Sequence, residues 1–407
     1  MEATDAVPVL SDPAGALVYA AKCDWAAFRD VFRRHGPVVR VETDARPHLF
    51  ICTPEHNQSV LSRPHLFHLT EDDSFPFRCP PESAVHRLAR GIAWMNGAEH
   101  ERHRAMMMPA YHRRFVEVYA DTVVRLTREH LAEWRPGEDR DLTADLGRLA
   151  LEISFEILYG RRARGDGAAL CARIDEYCRA VAALPPDATP ASLGAEWDAL
   201  LARAEGVEAA LAAEMAAKRR SPPDIPDTLS MLVAARDEHG EGMTDDEIAA
   251  HALTLSLVGN PSVSSTLWAV LVLLAQHPEW AARVLDELEG ELHGGPADAA
   301  RLDRLPLLEA VVFESLRLLP AGIWGQRDAV RDANVGEHPV RAGTRVVYDS
   351  LVTHRLPDVY PEPYRFRPER WLNGQPSPYA YLAFGAGPRL CIGRALSLMQ
   401  VKLVLSL

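Results

Sequence analysis

Positions 384–393 read Phe-Gly-Ala-Gly-Pro-Arg-Leu-Cys-Ile-Gly, and an apolar helical pattern runs from 394 to the final residue, 407. This stretch limits what the chain can fold into, because the fold must present one sulfur, that of Cys391, from a glycine-bordered turn at the start of a helix. Such a turn suits an ionised thiol. A thiolate is favoured by nearby backbone N–H groups and positive potential rather than by bulky neighbours, and the first turn of the following helix adds N–H dipoles. Gly387 and Gly393 are expected to let the backbone fold tightly around the sulfur. A lone cysteine in a turn is more often an inert buried thiol. The residues around this one argue instead for a metal ligand.

The order Phe-x-x-Gly-x-Arg-x-Cys-x-Gly resembles the heme-binding signature of the cytochromes P-450 at every fixed position. At average residue frequencies such a match arises by chance on the order of once in ten thousand chains of this length. The resemblance implies heme b (iron protoporphyrin IX) as cofactor and Cys391 as its axial iron ligand. It places Phe384 as a shield for the sulfur, Arg389 at a heme propionate and Gly393 in the cofactor loop.

Other segments extend the resemblance. Glu314 and Arg317 lie three apart in Phe-Glu-Ser-Leu-Arg, a spacing that puts them on one helix face. As an exposed ion pair this would be commonplace and worth little. In the heme-thiolate family the same pair forms a buried network with a downstream arginine, which the segment 366–371, Phe-Arg-Pro-Glu-Arg-Trp, supplies as Arg370. Propionates need cationic partners when buried. The segment 97–104 resembles the family helix with His-x-x-x-Arg, giving His100 and Arg104, and Arg327 matches the arginine of a family strand beside the heme. A rival reading makes His100 and His103 zinc ligands, but no third ligand is evident.

The 407 residues are 47% hydrophobic and 25% charged, ordinary for a soluble enzyme, and the net charge of −13 argues against nucleic-acid binding. Helical periodicity marks 121–133, 142–159, 193–219 and 245–276, the last opened by a capping box at 244–247. Strand patterns at 38–42, 49–52 and 345–348 are expected to join one sheet. The fold class is mainly α with small β-sheets, and the resemblance implies the cytochrome P-450 fold as a single catalytic domain over 1–407. The short proline-rich stretches at 184–190 and 221–227 read as loops within it. No signal peptide is evident, and no window reaches the roughly 18 apolar residues of a spanning helix. The six cysteines are scattered, as suits a reducing cytoplasm. The chain ends inside an apolar helical pattern where family members continue, so it looks truncated at its C-terminus.

One segment departs from the family pattern. Residues 257–263, Leu-Val-Gly-Asn-Pro-Ser-Val, line up with the oxygen-activating Ala/Gly-Gly-x-Asp/Glu-Thr-Thr. Gly259 matches the glycine, Pro261 stands at the acid and Ser262 at the alcohol. The acid normally feeds protons to the reaction, and the alcohol orients by hydrogen bonding. Ser262 can still do so; Pro261 cannot, and it should kink the helix. Proton delivery through water, use of peroxide, and rearrangement or dehydration without monooxygenation all remain open.

Phe75, Phe77, Leu255, Val258, Ile323 and Trp324 are expected to line an apolar substrate pocket. The reading is a soluble bacterial-type heme-thiolate monooxygenase, cytoplasmic and monomeric. It would oxidise an apolar secondary-metabolite, terpenoid or fatty-acyl molecule with electrons from a ferredoxin and ferredoxin reductase. A basic cluster, Arg102, Arg104, Arg113 and Arg114, is the expected ferredoxin dock. Peroxide-dependent or rearranging chemistry is the alternative, and a non-catalytic heme protein lies further off.

Overall fold

The computed structural model describes residues 7–12, 25–69, 79–185, 188–293, 295, 298 and 300–407. Strands β1 (Val9–Ser11), β2 (Val38–Glu42), β3 (Pro47–Ile51), β4 (Phe67–His68), β5 (Trp324–Ala329), β6 (Ala333–Val335), β7 (His338–Val340) and β8 (Arg345–Asp349) are all short. Helices longer than one turn begin with α1 (Trp25–His35), α2 (Pro54–Leu61), α3 (Ala84–Ala89), α4 (Gly97–Tyr111) and α5 (Ala120–Leu131). They continue with α6 (Leu142–Tyr159), α7 (Ala168–Ala182), α8 (Ala195–Arg220) and α9 (Thr228–Ala234). The last are α10 (Asp245–Gln276), α11 (Pro278–Leu292), α12 (Pro306–Leu318) and α13 (Arg394–Leu405). The chain divides into two compact units.

The first unit holds the strands with α1, α2 and α12, and it ends at Cys391. Its six-stranded sheet runs β1-β2-β3-β8-β5-β4, with β3 and β8 parallel and Phe50 opposite Val347. Side chains alternate between two faces, as a two-residue period requires. Val38, Leu49, Ile51, Val346 and Tyr348 enter one apolar cluster, while Val39, Val41, Phe50 and Val347 enter the other. Helix α1 covers the second face with Phe28, Val31 and Phe32, at helical spacing. Phe28 stacks on Phe50 with ring centroids 4.9 Å apart. The expected joining of the strands near 40, 50 and 346 is what forms.

The second unit is helical and comprises α3 to α11 and α13, apart from the last four residues of α10. The capping box forms: Thr244 N–H donates to Glu247 Oε2 at 2.7 Å, and Glu247 N–H to Thr244 Oγ1 at 3.3 Å. Gly194, at φ 53°, interrupts the helix expected over 193–219, so a one-turn piece precedes α8. Buried Lys218 joins three elements, donating to Asp227 Oδ2 at 2.6 Å and to Tyr159 O at 2.8 Å. Asp227 in turn caps α9 through Ser230 N–H at 2.8 Å.

One expectation is corrected here. Helix α10 is long and apolar enough to cross a bilayer by length and composition. Its apolar run is broken by glycine, histidine and alcohols rather than by charges, so a count of strictly apolar residues understates it. Ile248, Ala249, Ala252 and Leu253 of this helix are buried in the apolar cluster of the second unit.

Candidate functional site

In the first unit the cysteine loop is a compact turn. Cys391 N–H donates to Phe384 O at 2.9 Å, Leu390 N–H to Gly387 O at 3.0 Å, and Gly385 N–H to Leu382 O at 2.9 Å. The cysteine itself is exposed, and Phe384 and Arg389 are half-buried. Gly385 and Gly387 adopt φ of 68° and 69°, and a Cβ on Gly387 would lie 2.3 Å from Leu61 O. Only glycine fits there. Gly393, expected to share that task, has φ −86°, open to any residue. The tight wrap therefore comes from Gly385 and Gly387.

Behind the loop, Glu314 and Arg317 are fully buried. Arg317 Nε and Nη2 each donate to the Glu314 carboxylate at 2.8 Å. Arg370 Nε adds a bond at 3.1 Å, Arg367 N–H one at 2.8 Å and Trp371 Nε1 one at 2.9 Å. The rest of the Arg317 guanidinium is taken by carbonyls of His354, Pro363 and Arg365 at 2.7–3.2 Å. The carboxylate thus meets two cations and two further donors, which offsets its desolvation. The expected triad is geometrically present.

Sequence reasoning missed His354. It is fully buried, and burial holds it neutral by pushing its pKa down to about 3. Leu382 N–H donates to its Nε2 at 2.8 Å, so the proton sits on Nδ1, 3.0 Å from Arg317 O. This imidazole links the network to the strand of chain entering the cysteine loop. The available signal was a histidine just past the strand pattern at 345–348, flanked by Thr353 and Arg355, and a buried polar side chain must find partners.

Arg327 lies on β5, half-buried, over the Tyr348 ring at 5.8 Å. Its Nη1 donates to Gln326 O at 2.6 Å, and among the described residues no carboxylate pairs with it. Ile323 and Trp324 stand at the start of the same strand.

In the second unit, His100 on α4 is buried and Arg104 half-buried. His103 Nδ1 lies 2.8 Å from His251 Nε2, and no cluster of three metal-ligating side chains occurs among the described residues. His251 Nδ1 accepts Ile92 N–H at 3.0 Å. The basic cluster is partly neutralised. Arg102 pairs with Asp237 at 2.7 Å, and Arg113 with Glu117 at 2.9 Å and with Asp303.

Helix α10 runs unbroken past Pro261. Ser262 Oγ donates to Val258 O, and Ser265 Oγ to Pro261 O at 2.7 Å. Hydroxyls thus bond to carbonyls of the turn where the proline removes an N–H. A Cβ on Gly259 would meet nothing within 4 Å, so the helix borders open space there. A small pocket of about 40 Å³ lies along the same helix, walled by Val85 and Leu88 of α3, Trp94, Tyr177 and Val181 of α7, and Thr254, Leu257 and Val258 of α10. Of the expected lining residues, Val258 is in it. Leu255 packs against the apolar cluster instead, Ile323 and Trp324 belong to the first unit, and Phe75 and Phe77 lie outside the described residues.

Comparison with known proteins decides the family: the model of the cytochrome P450 family matches residues 18–407. The chain is a cytochrome P450. It is similar to cyclooctat-9-en-7-ol 5-monooxygenase of Streptomyces melanosporofaciens, 30% identical over 91% of this chain and 81% of that protein. A putative cytochrome P450 139 of Mycobacterium bovis is 26% identical over 92% and 87%. Among solved structures, retinoic acid-bound cyanobacterial CYP120A1 superposes with a TM-score of 0.81 at 23% identity, covering 98% of this chain and 91% of that one. The P450DA heme domain gives 0.83 at 21%, covering 98% and 89%. The enzyme is thus an oxidoreductase of the heme-thiolate monooxygenase class with heme b as cofactor. Within the first unit the residues present fit that group: an exposed cysteine on a glycine turn, and a half-buried arginine with no carboxylate partner among the described residues.

Proposed function

We propose that this cytochrome P450 inserts one oxygen atom of O2 into a C–H bond of an apolar, terpenoid-like small molecule, the other oxygen leaving as water with two electrons and two protons. The electrons come from a ferredoxin and its reductase. The observation that carries this reading is the apolar pocket along α10, which ends at Val258 beside Gly259 and Ser262. The relative that acts on cyclooctat-9-en-7-ol supports the substrate class.

In this reading the whole chain acts as one catalytic domain. Cys391 would supply the thiolate that holds the heme iron, with Phe384 shielding its sulfur and Gly393 in the cofactor loop. His100, Arg104, Arg327 and Arg389 neutralise the propionates. Glu314, Arg317 and Arg370 hold the loop in place. Heme, when bound, supplies the one-electron chemistry that activates dioxygen, and its thiolate ligand favours O–O cleavage. Ser262 holds a proton at its Oγ beside the open space at Gly259, while Pro261 brings none.

Peroxide use is the second reading. No aspartate or glutamate occurs between Glu247 and Glu279, so α10 carries no acid near Ser262. The test is turnover of a terpenoid library with ferredoxin, reductase and NADPH in one arm and hydrogen peroxide in the other. Product in the NADPH arm is expected. Product with peroxide and none with ferredoxin, reductase and NADPH would overturn the dioxygen reading.

A further inference from the structure

Besides Trp94, the apolar pocket along α10 carries three polar side chains, Tyr177, Cys178 and Thr254. Tyr177 is 3% exposed and Thr254 6% exposed, yet neither hydroxyl has a hydrogen-bond partner among the described residues. Cys178 beside them is held as a neutral thiol, burial pushing its pKa up to about 12. Burial also raises the Tyr177 phenol, so it stays a neutral O–H able to donate and accept.

Neither hydroxyl oxygen is sealed off from the pocket, whereas nearly all enclosed polar groups are paired within a protein. The same helix shows how readily such groups are satisfied: Ser256 Oγ donates to Ala252 O at 3.0 Å, and Thr266 Oγ1 to Ser262 O at 2.7 Å. Thr254 makes no such bond, and Gly91 packs against it. Gly91 comes so near that a Cβ there would sit 1.9 Å from Thr254 Oγ1. The approach is fixed by the neighbouring bond from Ile92 N–H to His251. Valine at 254 and phenylalanine at 177 would fill about the same volume, so what the two hydroxyls add is hydrogen-bonding capacity open to a molecule in the pocket.

We propose that Tyr177 and Thr254 form a hydrogen-bonding subsite for an oxygen function the substrate already carries. This deepens the monooxygenase reading and rests on it. The substrate is then an oxygenated hydrocarbon, an alcohol or ketone, rather than a bare one. A hydroxyl is both donor and acceptor, and so are the two side chains. The reaction that supplies the substrate is one that installs oxygen first, either a cyclisation that ends in capture of water or an earlier hydroxylation.

The test is equilibrium dialysis of the heme-loaded enzyme with matched pairs: cedrol against cedrane, and phyllocladan-16-ol against phyllocladane. The alcohols should bind about tenfold or more tightly than their parents, because a site built around a hydroxyl leaves its own groups unpaired without one. Tyr177→Phe and Thr254→Val should each weaken alcohol binding about three- to tenfold and leave the hydrocarbons within about twofold. Retention of the thiolate-type CO band shows that a variant is folded. Equal affinity for alcohol and parent, no binding by either, or a loss on mutation shared by both would overturn the subsite. Failure of the broader reading looks different: the alcohol preference would be present, but no oxidised product would form with NADPH, ferredoxin and reductase.

Discussion

Each unit of this cytochrome P450 contains one deeply buried histidine that accepts the backbone N–H of a functional loop, and the two differ in what stands behind them. His354 receives Leu382 N–H ahead of the cysteine turn and passes its own proton to Arg317 O. Arg317 is locked in turn by Glu314 and three carbonyls. His251 receives Ile92 N–H beside the pocket wall and leans on His103. His103 Nε2 lies 3.4 Å from Glu247, whose side chain is 31% exposed. One loop is anchored to a closed ionic network, the other to titratable groups that reach solvent. In the proposed reading the sulfur must stay fixed, whereas a pocket wall has to let a molecule pass. The two anchors match those demands.

The comparison breaks most visibly at the sulfur. Cys391→Ser should abolish the CO-difference band of thiolate-ligated heme outright while leaving the far-ultraviolet circular dichroism unchanged, since the turn is held by backbone bonds and glycines. A variant that kept the band would remove Cys391 from the role.

The next effect tests the closed anchor. Glu314→Ala strands Arg317, which is fully buried, and Arg370 without their counter-charge. Removing one partner of a buried pair typically costs about 3–5 kcal/mol. We expect a lowered denaturant midpoint together with loss of heme incorporation, read as Soret absorbance per protein. A normal heme load would mean the network does not hold the loop.

How much of this was open to sequence reading follows the same division. The cysteine turn and the Glu314, Arg317 and Arg370 network were legible because their members sit at fixed short spacings or in recognisable segments. The β2, β3 and β8 strands were legible through their period of two. The histidine anchors were not, because His251 and Ile92 are 159 residues apart and no local pattern links them. The pocket was half legible. Its α10 wall is Leu253, Thr254, Leu257 and Val258. That stripe advances by three or four residues, so it takes in Val258 and turns Leu255 away. The walls from α3 and α7 come from tertiary packing alone. Gly393 was credited with a conformation that Gly385 and Gly387 adopt, because a motif gives positions but not dihedrals.

A smaller effect separates the two histidines. His354→Phe and His251→Phe each orphan one backbone N–H, at about 1–3 kcal/mol. The first should lower heme retention. The second should leave heme in place, speed hydrogen exchange at residues 91–95 and weaken ligand binding. Acid should act on both. Each histidine is held near 3, below its ordinary value of 6.5, because burial disfavours the charged ring. The unfolded chain therefore takes up the proton first. The stability is fully present above about pH 6.5 and declines as pH falls toward about 3. Each Phe variant should flatten that decline by one proton's worth in urea titrations between pH 4 and 7. An unchanged slope would mean the histidine is already charged in the folded protein.

The smallest effect concerns the helix where the family's acid is missing. Ser262 already spends its proton on Val258 O, in the turn that Pro261 deprives of an N–H. A hydroxyl so engaged can orient a neighbour only through its lone pairs or by breaking that bond. Ser262→Ala should therefore lower the ratio of product to NADPH oxidised by only about two- to fivefold, equivalent to less than about 1 kcal/mol of barrier. Pro261→Asp restores both the carboxylate and the helical N–H, and should raise the same ratio if proton supply limits coupling. If neither substitution moves it, the protons come from water or from the substrate's own hydroxyl. That last outcome would tie the missing acid to the bare pair Tyr177 and Thr254, because a substrate held by its oxygen brings a titratable hydrogen of its own. Deuteration of that hydroxyl, in deuterated buffer against ordinary buffer, should then slow product formation in the wild type and in Ser262→Ala alike.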